Sequence, residues 1–194
     1  MKENYQRKME SIISGIDGRK KLLLHACCAP CATYVTECLV PYFDVSLYYC
    51  NPNTHPYDEY IKRLSALNTL ADIMHIEVIE AQYDDLAFFE RVKGLENEPE
   101  GAARCTECFR LRLEQTASAA KELGFDMFAT TLTVSPHKNA ELINIIGEKA
   151  EKIYGIPYLP SDFKKKNGFK RSTELSLQFG LYRQNYCGCI YSMR

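Results

Sequence analysis

Four short apolar runs separated by stretches of helical periodicity leave this chain few ways to fold. The runs are KLLLHAC at Lys21 to Cys27, VSLYYC at Val45 to Cys50, IEVIEA at Ile76 to Ala81 and MFATTLTV at Met127 to Val134. The last three are rich in β-branched or aromatic residues, and the first is an unbroken apolar stretch, so each predicts a strand. Between them the period changes. Phe109, Leu113, Thr116, Ala120 and Leu123 recur at spacings of four and three, and Gly124 follows as a left-handed cap. A second helix is expected to open with Ser135 as N-cap and Pro136 in its first turn, to carry Ile143, Ile146, Ala150 and Ile153 on one face, and to stop at Gly155. After the first strand, Pro30 is tolerated in the first turn of another helix.

Strands alternating with helices imply right-handed crossovers and a parallel sheet covered on both faces. The expected fold class is therefore α/β, a doubly wound parallel sheet, Rossmann-like and of the HUP type, with a C-terminal helical and loop extension. From Ser161 onward the alternation breaks, and this extension is expected to bring the last cysteines back over the sheet. With 194 residues and 46% hydrophobic content, residues 1–194 are expected to form a single domain. GLENEPEG at 94–101 and KKKNGFKR at 164–171 read as exposed loops. The N-terminus lacks the apolar stretch of a signal peptide or membrane span, so a soluble cytoplasmic protein with no membrane partner is expected.

Nine cysteines in a reducing compartment point to metal or redox chemistry, since structural disulfides rarely persist there. Cys27, Cys28 and Cys31 lie together, Cys105 and Cys108 form C-x-x-C, and Cys187 and Cys189 form C-x-C. Cys27 and Cys28 fall at the carboxyl end of a strand, where open parallel sheets bind ligands. Cys105 and Cys108 open the long helix on one face, where the helix dipole is expected to favour thiolates. Four thiolates from two segments suit tetrahedral zinc or an iron–sulfur cluster, and the absence of a residue between Cys27 and Cys28 favours the cluster. Cys31 is a further or alternative ligand. Cys38 reads as an apolar thiol within a helix and Cys50 as a lone thiol near the site.

Other chemistry is less marked. There is no G-x-x-x-x-G-K-[ST] or G-x-G-x-x-G, and ACCAPCAT stands where ATP-pyrophosphatase folds carry Ser-Gly-Gly-x-Asp-Ser, which argues against ATP. His25 and His137 lie beside strand ends. The stretch YYCNPNTHPYDEYIKR either grips a substrate through Asn51, Asn53, Tyr57 and Arg63 or is an Asn-Pro turn before a helix. A net charge of −1 gives no global pull toward nucleic acid, so a polyanion must be held locally, and Lys164, Lys165, Lys166, Lys170 and Arg171 offer a basic patch.

Five segments, HACCAPC, YCNPNTHPYDEYIKR, CTECFRLRLEQTA, FATTLTVSPHKN and GLYRQNYCGCIYS, together resemble the epoxyqueuosine reductases of the QueH type, in order and over nearly the whole chain. The resemblance implies a reductase acting on tRNA whose wobble base is epoxyqueuosine, removing the epoxide oxygen to give queuosine. It implies a 4Fe-4S cluster on Cys27, Cys28, Cys105 and Cys108, and a redox-active pair, Cys187 and Cys189, that cycles through a disulfide. A second metal ion and an electron donor stay open. An unstacked anticodon base would stack on an aromatic such as Tyr182 or Tyr57. The rivals are an iron–sulfur tRNA sulfurtransferase and a zinc-stapled RNA-binding module.

Overall fold

The computed structural model describes residues 3–193. Four strands, β1 (Lys20–His25), β2 (Phe43–Tyr49), β3 (Glu77–Glu80) and β4 (Met127–Thr130), pair in parallel in the order β3-β2-β1-β4. Alternation along each strand divides the interior in two. Leu22, Leu24, Leu47, Tyr49, Met127 and Ala129 enter one core, whereas Leu23, Tyr48 and Phe128 enter the other. The first core is closed by α1 (Tyr5–Ser14), α2 (Ala29–Leu39) and α3 (Tyr57–Met74). The second is closed by α5 (Ala103–Glu122) and α6 (Ala140–Tyr154), after a short α4 (Asp85–Arg91). This is the doubly wound arrangement that the alternating pattern implies.

Boundaries differ where side chains compete for the backbone. The fourth strand stops at Thr130 because its hydroxyl accepts from Leu132 N, 3.2 Å away, and turns Thr131–Val134 into a 3₁₀ helix. Ser135 and Pro136 do not open α6. Ser135 Oγ instead accepts from His137 N in a turn, and Asn139 caps the helix through Leu142 N, 3.2 Å away. Gly155 ends it as expected, at φ +67°. The stretch before α3 is the Asn-Pro turn: Thr54 N donates to Asn51 O at 3.0 Å, and the helix begins at Tyr57.

The segment KKKNGFKR is not a loop throughout. A 3₁₀ turn at Lys165–Asn167 leads directly into α7 (Gly168–Gln178), which packs on α2 and carries Lys170 and Arg171. Gly168 is required there by closeness: a Cβ would lie 1.9 Å from Phe163 O and 2.3 Å from the Tyr34 ring. A backbone oxygen cannot step aside. Gly168→Ala is therefore expected to cost about 3 kcal/mol and to lower Tm by roughly 6–12 °C, read by thermal unfolding. An unchanged Tm would mean that the α2–α7 seam is loose.

Candidate functional site

The strand order reverses between β1 and β4, and the chain leaves β1 there as His25-Ala26-Cys27-Cys28. Ala26 N still donates to Tyr48 O at 2.8 Å, continuing the ladder. Cys27 N then donates to Thr131 Oγ1 at 3.1 Å, so the loop is tied to the end of β4. Pro30 and Cys31 both sit in the first turn of α2, Cys31 three residues after Cys28. This places the sulfurs of Cys27, Cys28 and Cys31 within 4.8 Å of one another, with Cys27 and Cys28 3.8 Å apart. The C-x-x-C pair arrives from α5. Cys105 packs against the cluster containing Cys27 and Cys28 and accepts from Gly101 N at 3.2 Å, while Cys108 faces inward beside Cys189. Cys105 and Cys108 stand outside the tight sulfur group that Cys31 joins.

Electrostatics distinguish these thiols. Hydrogen bonds from Cys28 and Cys31 hold Cys27 well below the usual thiol range, and Lys138 and Arg112 assist against burial. Cys28, the donor to Cys27, is pushed up to about 12. Burial pushes Cys108 to about 12 and raises Cys105. The helix-dipole expectation thus fails for the free thiols. Cys105 lies in the first turn of α5, but Cys108 lies beyond it, and desolvation outweighs a field that fades within a turn.

Two cations complete the floor, and neither was singled out from the sequence. Arg112 follows Cys108 by one helical turn and is 2% exposed. Its Nη1 lies 4.0 Å from Cys108 Sγ, its Nη2 donates to Asn51 Oδ1 and its Nε donates to His25 Nε2 at 3.2 Å. His25 accepts as a neutral ring, since burial and then Arg112 lower its pKa to about 3. Burial opposes the charges of Arg112 and Lys138, yet the surrounding thiols raise both pKa values: Cys108, Cys27 and Cys187 for Arg112, and Cys187, Cys27 and Cys31 for Lys138. Neither has a carboxylate ion-pair partner among the described residues. The i, i+4 spacing from Cys108 was the available signal for Arg112; Lys138 follows His137, which was weighed.

The tail closes the site. Arg63, buried at 2% exposure, pairs with Glu59 at 2.7 Å and donates to Cys187 O at 2.9 Å and Tyr186 O at 3.2 Å. His55 N donates to Gly188 O at 2.8 Å. Gly188 lies at φ +113°, and a Cβ there would meet Arg63 Nη1 at 2.8 Å, so only glycine lets the tail approach. Cys187 lines a cavity of ≈ 600 Å³ together with Cys27, Cys31, Arg112, Lys138 and Phe169. Cys189 is buried against Cys108. All nine cysteines are free thiols, so the Cys187–Cys189 disulfide expected from the resemblance is not formed here.

Several expected contacts fall elsewhere. Asn51 is occupied by Ala26 O and Arg112, Arg63 lines the cavity but is engaged by the tail, Asn53 Oδ1 is buried with no hydrogen-bond partner among the described residues, and Tyr57 stacks on Tyr60 at 5.8 Å outside the cavity lining. Tyr182 donates to Glu59 and lines a different groove. Cys50 donates to Gln115 at 3.0 Å, and Cys38 packs partly buried against the first core. In the basic patch, Lys166 pairs with Glu10, Arg171 with Glu37, Lys164 with Asp162 and Lys170 with Glu174.

Comparison with known proteins decides the family. The family described as "Epoxyqueuosine reductase QueH" matches residues 22–194. The chain belongs to the QueH family. The QueH protein of Staphylococcus epidermidis is 45% identical, covering 98% of this chain and 85% of the relative. That of Streptococcus pyogenes serotype M1 is 43% identical over 100% and 79%, and that of Thermotoga maritima is 35% identical over 89% and 90%. Among solved structures, the U34-tRNA thiolase NcsA from Methanococcus maripaludis, determined with its [4Fe-4S] cluster, superposes with a TM-score of 0.62 at 12% identity, covering 98% of this chain and 67% of that one. That likeness is one of fold. In this QueH member, no described helix is long and apolar enough to cross a membrane.

Proposed function

We propose that this chain is an oxidoreductase that converts epoxyqueuosine to queuosine in tRNA, the last step in making that base, and works in the cytoplasm. Family membership supports the reaction. The observation that carries it at this site is the meeting of two cysteine segments, Cys27/Cys31 and Cys187, on one cavity, with Cys108 behind its wall against Arg112, beside two cations lacking carboxylate partners among the described residues. Buried positive charge of that kind needs a counter-charge, and a thiolate-ligated metal centre is anionic. The donor set therefore fits a 4Fe-4S cluster held by Cys27, Cys28, Cys105 and Cys108. Cys31 is then the spare sulfur, available to a second metal ion. When bound, the cluster would supply electrons one at a time.

Epoxide removal balances as epoxide plus two electrons and two protons giving alkene plus water. A Cys187/Cys189 dithiol closing to a disulfide supplies both electrons and both protons, and an external electron donor reopens it. Cys187 stands on the cavity wall, where it can meet the substrate, and Cys189 stands behind it. Arg112 and Lys138 are placed to stabilise negative charge developing on the departing oxygen.

The test is anaerobic purification followed by iron and sulfide analysis, then incubation of the holoenzyme with epoxyqueuosine-containing tRNA and a low-potential reductant. Iron, sulfide and queuosine formation are expected. A colourless zinc protein that leaves the base unchanged would sink the proposal and favour the RNA-binding module.

A further inference from the structure

The rim of the cysteine cavity is furnished differently from its floor. Phe169, in the first turn of α7, lines it with 43% of its surface exposed. The other aromatic in the lining, Tyr186, is already used: its hydroxyl donates to His55 O and its ring lies 5.1 Å from the Arg63 guanidinium. The backbone that presents Phe169 is held in place, because Gly168 beside it is wedged against Phe163 O and Tyr34. Across from α7 run Arg183, Gln184 and Asn185. Arg183 has no carboxylate partner among the described residues. Gln184 Oε1 is buried with no hydrogen-bond partner, an acceptor awaiting a donor. Of the cations in the lining, Arg63 pairs with Glu59 and Arg112 and Lys138 face the thiols, which leaves Arg183 as the cation offered to a ligand at the rim.

We propose that Phe169, Arg183 and Gln184 form the seat of the extruded nucleotide: its base stacks on Phe169, its phosphodiester meets Arg183, and a base N–H donates to Gln184 Oε1. The proposal rests on the reductase reading and names the residues that would select its substrate. Sequence-specific RNA recognition works on unstacked bases of single-stranded loops, by aromatic stacking and edge hydrogen bonds. A cavity of ≈ 600 Å³ falls within the range of ligand pockets. The acceptor calls for a base edge that bears an N–H group. The Lys164–Arg171 patch is the poorer anion site, because four of its five cations already face carboxylates.

The test uses holoenzyme and an anticodon stem-loop carrying epoxyqueuosine at its wobble position, with Kd by anisotropy, kcat and KM by product analysis, and cluster absorbance. Phe169→Ala should raise Kd and KM on the order of tenfold or more, and Phe169→Tyr should restore both, with absorbance unchanged. Arg183→Ala should lower the salt slope of binding by about one, whereas Lys166→Ala, whose ammonium already faces Glu10, leaves it within error. If Phe169→Ala bound and turned over like wild type, the seat would be elsewhere. The two readings fail separately: wild-type binding that depends on Phe169 without any turnover overturns the reductase, and turnover indifferent to Phe169 overturns the seat.

Discussion

Changing Cys27 to serine is expected to empty the metal centre and to end turnover. Cys27 has the lowest-lying thiol of its group, fed by Cys28 and Cys31 and faced by Lys138 and Arg112. It is also the residue whose position is most constrained, since its amide donates to Thr131 Oγ1 and the same hydroxyl lies 3.4 Å from its sulfur. Losing a mere supporting partner of a metal ligand typically costs about 10–100-fold in metal affinity or activity. Removal of a ligand should exceed the upper end of that range. Iron and sulfide per chain, with the visible absorbance, measure the first effect, and queuosine formation measures the second. Cys38→Ser is the matched control, a thiol removed from α2 well away from the cavity. Full iron content in Cys27→Ser would remove it from the ligand set, and Cys31 would be the sulfur to test next.

The paired change Cys187→Ser, Cys189→Ser should give the opposite dissociation: a protein with its iron–sulfur absorbance intact and turnover reduced to background. Four sulfurs, two on the loop leading into α2 and two on α5, would suffice for the cluster, which would leave the tail thiols free for electron transfer. The tail backbone is held by Arg63 and His55 through the carbonyls of Tyr186, Cys187 and Gly188, none of which involves a thiol. Serine should therefore leave the tail docked. Mass analysis after alkylation reports whether wild type, taken during turnover without reductant, accumulates a Cys187–Cys189 disulfide. Loss of cluster absorbance in the paired variant would make these residues ligands, and full activity would make them structural.

The sheet and its two-sided burial were legible because Leu22, Leu23 and Leu24 sit in an unbroken apolar run and later runs alternate with a helical period. The helix start at Asn139 was not, because Ser135-Pro136 carries the same chemistry four residues earlier and only packing decides between them. The site was legible to the extent that it depends on sulfur spacing. Cys27 with Cys28 reads from the strand end, while the promotion of Cys31 needs the turn of α2 to be known. Arg112 illustrates the rest. A cation in the middle of an amphipathic helix reads as solvated until its neighbours, His25 and Asn51, come from segments 87 and 61 residues away. The lysine run reads as bare positive charge in sequence, since Glu10 and Glu37, which pair with Lys166 and Arg171, come from distant segments.

The tie between Cys27 and Thr131 also sets an order of events. These residues lie 104 positions apart and meet only when β1 pairs with β4, a long-range contact whose chain closure is slow compared with local helix formation. Before that closure the chain carries the same sulfurs with no common geometry. Iron supplied to a nascent or partly folded chain meets scattered thiols open to oxidation, and the same iron supplied afterwards meets a formed socket. Reconstitution yield should thus track how completely the sheet has closed, making metal content a report on that closure.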